Sequence, residues 1–511
     1  MPKFLRNINV AALFFILLAG SAILLRFYNI SSPPFDAYSL RQTQTLSTIA
    51  DFYENGVDLL YPKTHHAGYP GYYVLECPFY QAAMAYLWHI FPYSIAVIRC
   101  FNILINIFTA WLLYLVTNLF LPKKISAGAA IMFLLTPLNI FCSRSTLLEP
   151  AIVFLVMLVV YLYFRIGLIN NAKSVVLFLL LSVCLCVSIL IKPIYLGPFF
   201  VIFAATFSNN KKTAGFYAVS FFTALGLLCL WMTRAATINN ESIFTAGLAA
   251  KNLLGNGSLF NPFFWLIMFH RAAVKIAPGP ALLCLFFSLF IAFFKNDADK
   301  KSIYLLRICW VIICGFLWLF ADINFPHAYY QLILTPFSSV LIAFAAFYLL
   351  DKLSDARVKQ VLCLIFTISL FLSAAISYLE SARLSVSLLE FQAALGPRLD
   401  QNNRFVFLFV KSIPGDELSK IKFDKSPAFD ELSGLYSVNK WGETRKGLTV
   451  KESVAYLKDI PQPLRDNFGE IIFYKYDYGN DFFAEDLTAL GELGYKLKMN
   501  SRFGVILQRK R

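Results

Sequence analysis

The residues of this chain suited to chemistry are a few carboxylates, cations and a histidine set among apolar stretches. A carboxylate held out of bulk water can take a proton from a hydroxyl. An arginine or lysine beside it can stabilise an anionic oxygen. Asp36 follows Ser-Ser-Pro-Pro-Phe, and the prolines impose an extended path. RQTQTLSTIADFYENG (41–56) then reads as a helix ended by Gly56, with Arg41, Thr45 and Thr48 on one face and Gln42 beside them. That face could hold a phosphate or a sugar, or it could simply be solvated. Glu76 lies in YYVLECPFYQ and Glu149 in SRSTLLEP. Glu149 could serve the helix macrodipole, and Arg144 could be its ion-pair partner. Lys192, in ILIKPIYL, could bind phosphate or snorkel to headgroups. His327, Tyr330 and Gln331 crowd the segment HAYYQLILTPF, where an aromatic belt would explain the tyrosines alone. His65 and His66 are adjacent, which is poor metal-ligand spacing. His89 and His270 sit beside apolar stretches and read as interface residues.

The elements that must position these groups follow from composition. The chain has 511 residues, 58% hydrophobic, with 52 Phe and only 15% charged. A soluble domain is roughly 45–50% apolar and about 25% charged. The surplus must face lipid, which excludes a soluble enzyme, a disordered chain and a disulfide-stapled module. Spans need about 20 apolar residues. Eleven are expected, at 9–26, 93–119, 125–142, 150–168, 174–191, 194–208, 214–233, 279–294, 303–321, 329–350 and 359–379. The first is too long, and too poorly followed by small residues, for a signal peptide. The ten Cys show no metal-ligand spacing and read as small apolar packing.

With the amino terminus cytoplasmic, the short inner loops carry most of the Lys and Arg, as the positive-inside rule requires. Arg26, Arg144, Arg271 and Lys275 are among the sparser outer cations. The formal charge of +15 then records orientation, and no basic face for nucleic acid emerges. Two outer loops are long, 27–92 and 234–278, and the stretch 77–92 reads as an interfacial amphipathic helix. From residue 380 the composition turns polar, with 20 Lys and Arg against 18 Asp and Glu. RFVFLFV (404–410), EIIFYKY (470–476) and FGVILQR (503–509) predict strands, and 449–460 and 484–494 predict helices. The expected architecture is a polytopic α-helical membrane domain, 1–379, followed by a small α/β extracytoplasmic domain, 380–511.

Four stretches in this order resemble the integral-membrane glycosyltransferases of the GT-C fold. The likeness is to the branch of the protein mannosyltransferases and aminoarabinose transferases (glycosyltransferase family 39 and relatives). They are Asp36 with RQTQT (41–45), AGYPGYYVLECPFYQ (67–81), TPLNIFCSRSTLLEP (136–150) and HAYYQLILTPF (327–337). The tail stretch LYSVNKWG (435–442) is similar to one in external domains of some bacterial members. Many members have two consecutive acids where this chain has Asp36-Ala37, and Lys440-Trp441-Gly442 stand in an altered order.

The resemblance implies a polyprenyl-phosphate-linked sugar donor held at the outer leaflet of a bacterial inner membrane. The acceptor would be an envelope glycan, a glycolipid or a protein. It implies an inverting displacement with Asp36 as base, and with Glu76 and Glu149 as further candidate catalytic carboxylates. Arg41, Gln42, Arg144, Lys192, His327, Tyr330 and Gln331 would bind the donor phosphate or sugar. It specifies no cofactor, and a loosely held divalent metal is compatible with it. The competing readings are a transporter or flippase of lipid-linked glycans and an O-antigen-type polymerase or ligase. No inverted repeat supports the first, and the longest outer loop falls early, not late, for the second. A receptor would have no need for this set of outer polar residues.

Overall fold

A computed structural model describes residues 10–32, 34, 36–64, 72, 74, 76–166, 172–195, 198–199, 211–238, 257–295, 299–383, 404–410, 444–448, 468–475, 488, 491–501 and 504–509. The chain divides into two compact units. One comprises 1–32, 75–80 and 91–382, and the other 33–74, 81–90 and 383–511.

The first unit is a helical bundle. Its helices are α1 (Val10–Leu25), α4 (Ile95–Thr117), α5 (Lys123–Leu135), α6 (Pro137–Arg144), α7 (Glu149–Ile166), α8 (Ala172–Ile191) and α9 (Lys211–Ile238). They continue with α10 (Pro262–Arg271), α11 (Pro280–Phe294), α12 (Lys300–Leu319), α13 (Thr335–Asp351) and α14 (Ala356–Ser381). The helices α2 (Ser39–Asn55) and α3 (Phe79–Ile90) come between α1 and α4. Among the described residues six helices are long and apolar enough to cross a bilayer, or up to eight if each bent pair is one span. Helices occupy the positions of the expected spans except 194–208, most of which lies outside the described residues. The count differs from eleven because some helices are short: α1 has 16 residues, and the apolar run of α8 is Val175–Ile191.

Two expected elements are corrected. The stretch 125–142 is not one straight span but α5 and α6, bent by 61°. Pro137 has no N–H to give to the Phe133 carbonyl and starts a new helix. The expected outer segment 234–278 is partly helical: α9 runs on to Ile238, and α10 continues through a π-helical turn, Ala272–Ile276. That helix joins α11 at a bend of 116°.

The segment Ala328–Asp351 lies at the centre. Its most apolar stretch is 78% buried, against 22% for α9. α13 packs on α5 and α11, α4 on α7 and α5, and α7 on α8. Gly128 allows the closest approach, since a Cβ there would meet the Phe347 ring at 2.6 Å. Leucines and phenylalanines on α8, α9, α11 and α14 remain exposed, as lipid-facing residues would be.

The second unit contains α2, most of α3 and a five-stranded sheet. α3 lies within the stretch 77–92, burying Tyr80, Met84 and Trp88 while Tyr86 and Ile90 stay exposed. The strands are β1 (Arg404–Val410), β2 (Thr444–Leu448), β3 (Phe468–Lys475), β4 (Tyr495–Ser501) and β5 (Gly504–Arg509), in the order β2-β1-β3-β5-β4. β1 runs parallel to both β2 and β3, which suits its unbroken apolar run. β5 pairs antiparallel with β3 and with β4. The strands expected at 404–410, 470–476 and 503–509 are present within two residues, and β2 and β4 are additional. The expected helix 449–460 lies outside the described residues, as does most of 484–494.

Candidate functional site

Asp36 and α2 form one group of candidates. Tyr38 takes a left-handed conformation, φ 61°, and opens α2, and Gly56 closes it at φ 88°. Gln42 then faces back along the chain. Its Nε2 donates to Asp36 Oδ1 at 2.6 Å and to the Ala37 carbonyl at 2.9 Å. One amide thus fixes the Asp36 carboxylate, which is 7% exposed. Arg41, Gln42, Thr43, Thr45, Ser47 and Thr48 are all buried. A solvated polar face for this helix is therefore excluded. Thr45 Oγ1 returns its hydrogen to the Arg41 carbonyl, and Arg41 Nη1 reaches Gln44 Oε1 at 3.4 Å. At the far end of α2, Asn55 donates to Asp51, and burial raises the Asp51 carboxyl above its ordinary range. His89 stacks on Tyr53 with ring centres 4.6 Å apart, and both sit beside Trp88.

The second group gathers where the start of α7 meets the end of α8 and the 3₁₀ segment Ala328–Leu334. Lys192 Nζ lies 2.9 Å from Glu149 Oε1, and the two side chains are 8% and 0% exposed. Lys192 is therefore paired inside the protein, which speaks against snorkelling to headgroups, one of the two readings its sequence left open. Glu149 has Lys192 as its ion-pair partner, where the sequence offered Arg144 as one possibility. Its other oxygen, Oε2, is buried without a hydrogen-bond partner among the described residues. The Lys192 ammonium also stands 4.9 Å from the Tyr330 ring centre and 5.8 Å from that of Tyr329. His327 is exposed and adjoins both tyrosines, at 5.4 and 5.7 Å. Gln331 is buried and donates to Met268 Sδ, away from that cluster. Arg144 ends α6, fully buried, with its guanidinium over Phe141 at 5.5 Å and Tyr378 at 5.6 Å. Glu76 is half-buried, and burial, followed by the Glu76 charge, pushes the neighbouring Cys77 thiol up to about 12.

What holds the second group in place is a stripe that sequence reasoning passed over. Arg99, Asn102, Asn106 and Thr109 follow one another at helical spacing on α4, and all are buried. Arg99 Nη1 donates to the carbonyls of Asn29, Ile30 and Ser32. Asn102 Nδ2 donates to the carbonyls of Ser145 and Leu147, at 2.9 and 3.0 Å, and its Oδ1 accepts from the Tyr80 hydroxyl. The Cys77 N–H donates to the Leu190 carbonyl, two residues before Lys192. The segment 76–80 is thereby tied to the two chain segments that carry the ion pair, at Leu190 and, through Asn102, at Ser145 and Leu147. The readable signal was polarity repeating every three to four residues inside an apolar run.

Asn102→Ala is expected to cost about 1–3 kcal/mol, because two carbonyls and a hydroxyl are left buried without it. A fall in unfolding temperature in detergent would report this. Tyr80→Phe should cost less, since it removes a single bond.

Among the described residues no group of three or more His, Cys, Asp or Glu could hold a metal ion. His65 and His66 lie outside the described residues.

No family model matches the sequence, and no curated protein matches it. Solved structures do match the fold. Against ArnT from Cupriavidus metallidurans in the apo state, the TM-score is 0.59 at 10% identity, covering 98% of each chain. The same protein bound to undecaprenyl phosphate gives 0.54 at 11% identity, covering 97% of each chain. The archaeal oligosaccharyltransferase AglB from Archaeoglobus fulgidus, in complex with an inhibitory peptide and a dolichol-phosphate, gives 0.56 at 10% identity. That match covers 91% of this chain and 70% of AglB. This chain is thus an integral membrane protein with the GT-C fold.

Proposed function

We propose that the protein is a glycosyltransferase that takes a sugar from a polyprenyl-phosphate donor. The sugar would pass to an envelope glycan, glycolipid or protein at the outer face of a bacterial inner membrane. The observation that carries this reading is the buried set Glu149, Lys192 and Arg144 where the bundle helices end. A lipid phosphate keeps its tail in the bilayer and brings its anionic group to the ends of the spans. Buried cations there are costly unless they have work to do. ArnT, of the same fold over 97% of both chains, has been captured with undecaprenyl phosphate.

In this reading the Asp36 carboxylate, oriented by Gln42, takes the proton of the acceptor hydroxyl as the acceptor oxygen attacks the anomeric carbon. The bond from that carbon to the phosphate oxygen breaks, and the configuration inverts. Arg41 and Arg144 offset the charge on the leaving phosphate. Lys192, whose charge is already taken up by Glu149 at 2.9 Å, holds that carboxylate in place for the sugar. Glu149, through its open Oε2, accepts a hydrogen bond from the sugar, and Tyr330 and His327 shape its pocket. Glu76 borders that region and serves as a supporting carboxylate. The residues before 33 lead in from a cytoplasmic amino terminus, and 380–511 is an external α/β domain.

The test is reconstitution of the purified protein with a panel of polyprenyl-phosphate sugars and envelope acceptors. Glycosyl transfer with release of free polyprenyl phosphate is the expected result. Movement of intact donor across the bilayer would favour a transporter or flippase. Release of a polyprenyl diphosphate would favour a polymerase or ligase.

A further inference from the structure

Arg26 is the residue immediately after α1, and by composition it looks like one more charge flanking a span. It is instead fully buried, and its guanidinium is shared among four groups on three other parts of the bundle and on its own helix. Nε donates to Ser143 Oγ at 2.8 Å, one residue before Arg144. Nη1 donates to the Ala22 carbonyl. Nη2 donates to Asn106 Oδ1 at 3.2 Å and to the Leu134 carbonyl at 2.9 Å. Asn106 Nδ2 in turn donates to Asn139 Oδ1 at 2.6 Å, and Asn139 Nδ2 donates to the Phe133 carbonyl at 2.7 Å.

Two of these acceptors owe their availability to the break between α5 and α6. In a continuous helix the Phe133 carbonyl would take the N–H of residue 137, but Pro137 has none. The Leu134 carbonyl would take the N–H of residue 138, which the 61° bend carries off line. Asn139 joins the Thr136 N–H on the first carbonyl, and Arg26 takes the second. Arg26 also receives the carbonyl end of α1 through Ala22. Its positive charge therefore sits where the negative ends of two helices, α1 and α5, converge.

We infer that Arg26 is a positioning residue: it sets the angle between α5 and α6 and so places Arg144 and the 145–149 turn that carries Glu149. This rests on the proposed reading for its link to a lipid phosphate, and on the hydrogen bonds alone for its link to the helix break. A planar guanidinium can serve Ser143, Leu134 and Ala22 in three directions at once. An ammonium at that site cannot span them.

The experiment uses the purified full-length chain in detergent. Hydrogen exchange followed by mass spectrometry reads the amides of 134–149, with 335–351 as an internal reference. Titration with undecaprenyl phosphate reads binding. Arg26→Gln should speed exchange at least tenfold within 134–149 and leave 335–351 unchanged. It should weaken undecaprenyl phosphate binding by about tenfold. Arg26→Lys should resemble Arg26→Gln on both measures, because the lost feature is the fork and not the charge. Ser143→Ala, which removes one bond, should give a smaller change of the same kind and serves if Arg26→Gln does not fold.

Exchange raised uniformly along the chain would overturn the inference and make Arg26 a general stability residue. Unchanged exchange in a folded Arg26→Gln protein would overturn it as well, as would full rescue by Arg26→Lys. A wild-type protein that does not bind undecaprenyl phosphate, beside locally raised exchange in Arg26→Gln, would count against the proposed donor. It would leave the positioning role of Arg26 standing.

Discussion

Asp36→Asn should reduce sugar transfer by about 10²–10⁴-fold, the usual contribution of a positioned general base. The substitution is nearly isosteric. Asn Oδ1 can still accept the Gln42 amide, which reaches Asp36 Oδ1 at 2.6 Å, so the loop keeps its hydrogen bond to α2. Only the ability to take a proton disappears. The unfolding temperature and the affinity for undecaprenyl phosphate should therefore stay close to wild type while turnover collapses. Gln42→Leu is the complement. It leaves the carboxylate in place but removes the amide that orients it, and it should lower turnover less, by about tenfold, with full recovery in Gln42→Asn excluded by the shorter reach. The measurement is release of polyprenyl phosphate from a matched donor under single-turnover conditions. Transfer by Asp36→Asn at near wild-type rate would end the assignment of Asp36 as base and turn attention to Glu76 and Glu149.

The helices of the bundle were legible because lipid imposes a simple rule: long apolar runs, with cations crowded into alternate loops. The break at Pro137 was not read, although the proline was visible, because apolar residues dominate on both sides of it, with only Thr136 and Asn139 polar between Ile131 and Ile140. Strands β1, β3 and β5 were legible as dense runs of Val, Ile, Leu and Phe. β2, TRKGL, and β4, YKLKMNS, carry too few apolar residues to stand out. For the candidate site, residue types pointed to the right segments but not to partners. Glu149 and Lys192 are 43 residues apart, and no local spacing joins them. Topology marks Arg26 as a charge beside a membrane and leaves Arg99 unremarked inside a span, when each instead satisfies backbone carbonyls left open by a helix end or a turn. The polar stripe of α4 was the one cue that periodicity could have supplied, since Arg99, Asn102, Asn106 and Thr109 fall on one face.

Lys192→Met should destabilise the protein by about 3–5 kcal/mol, the cost of removing one partner from a buried ion pair. Glu149 would be left fully buried with only the amino-terminal end of α7 to favour its charge, and its Oε2 already lacks a hydrogen-bond partner among the described residues. Glu149→Gln should cost less. The ammonium it leaves behind still faces the Tyr330 and Tyr329 rings, at 4.9 and 5.8 Å, and sits beside a side-chain amide that can accept a hydrogen bond. The double variant Glu149→Gln with Lys192→Met should be more stable than Lys192→Met alone, because neither charge remains to be desolvated. Thermal unfolding in detergent, followed through all four members of the cycle, gives the coupling directly. Additive single effects below about 1 kcal/mol, the range of surface pairs, would show that the pair is solvated in the working protein. A large coupling places a neutral but polar pair beneath an aromatic wall. Such a site suits an uncharged sugar ring, with its hydroxyl hydrogens directed to Glu149 Oε2, better than it suits a second phosphate, which would have to compete with Glu149 for Lys192.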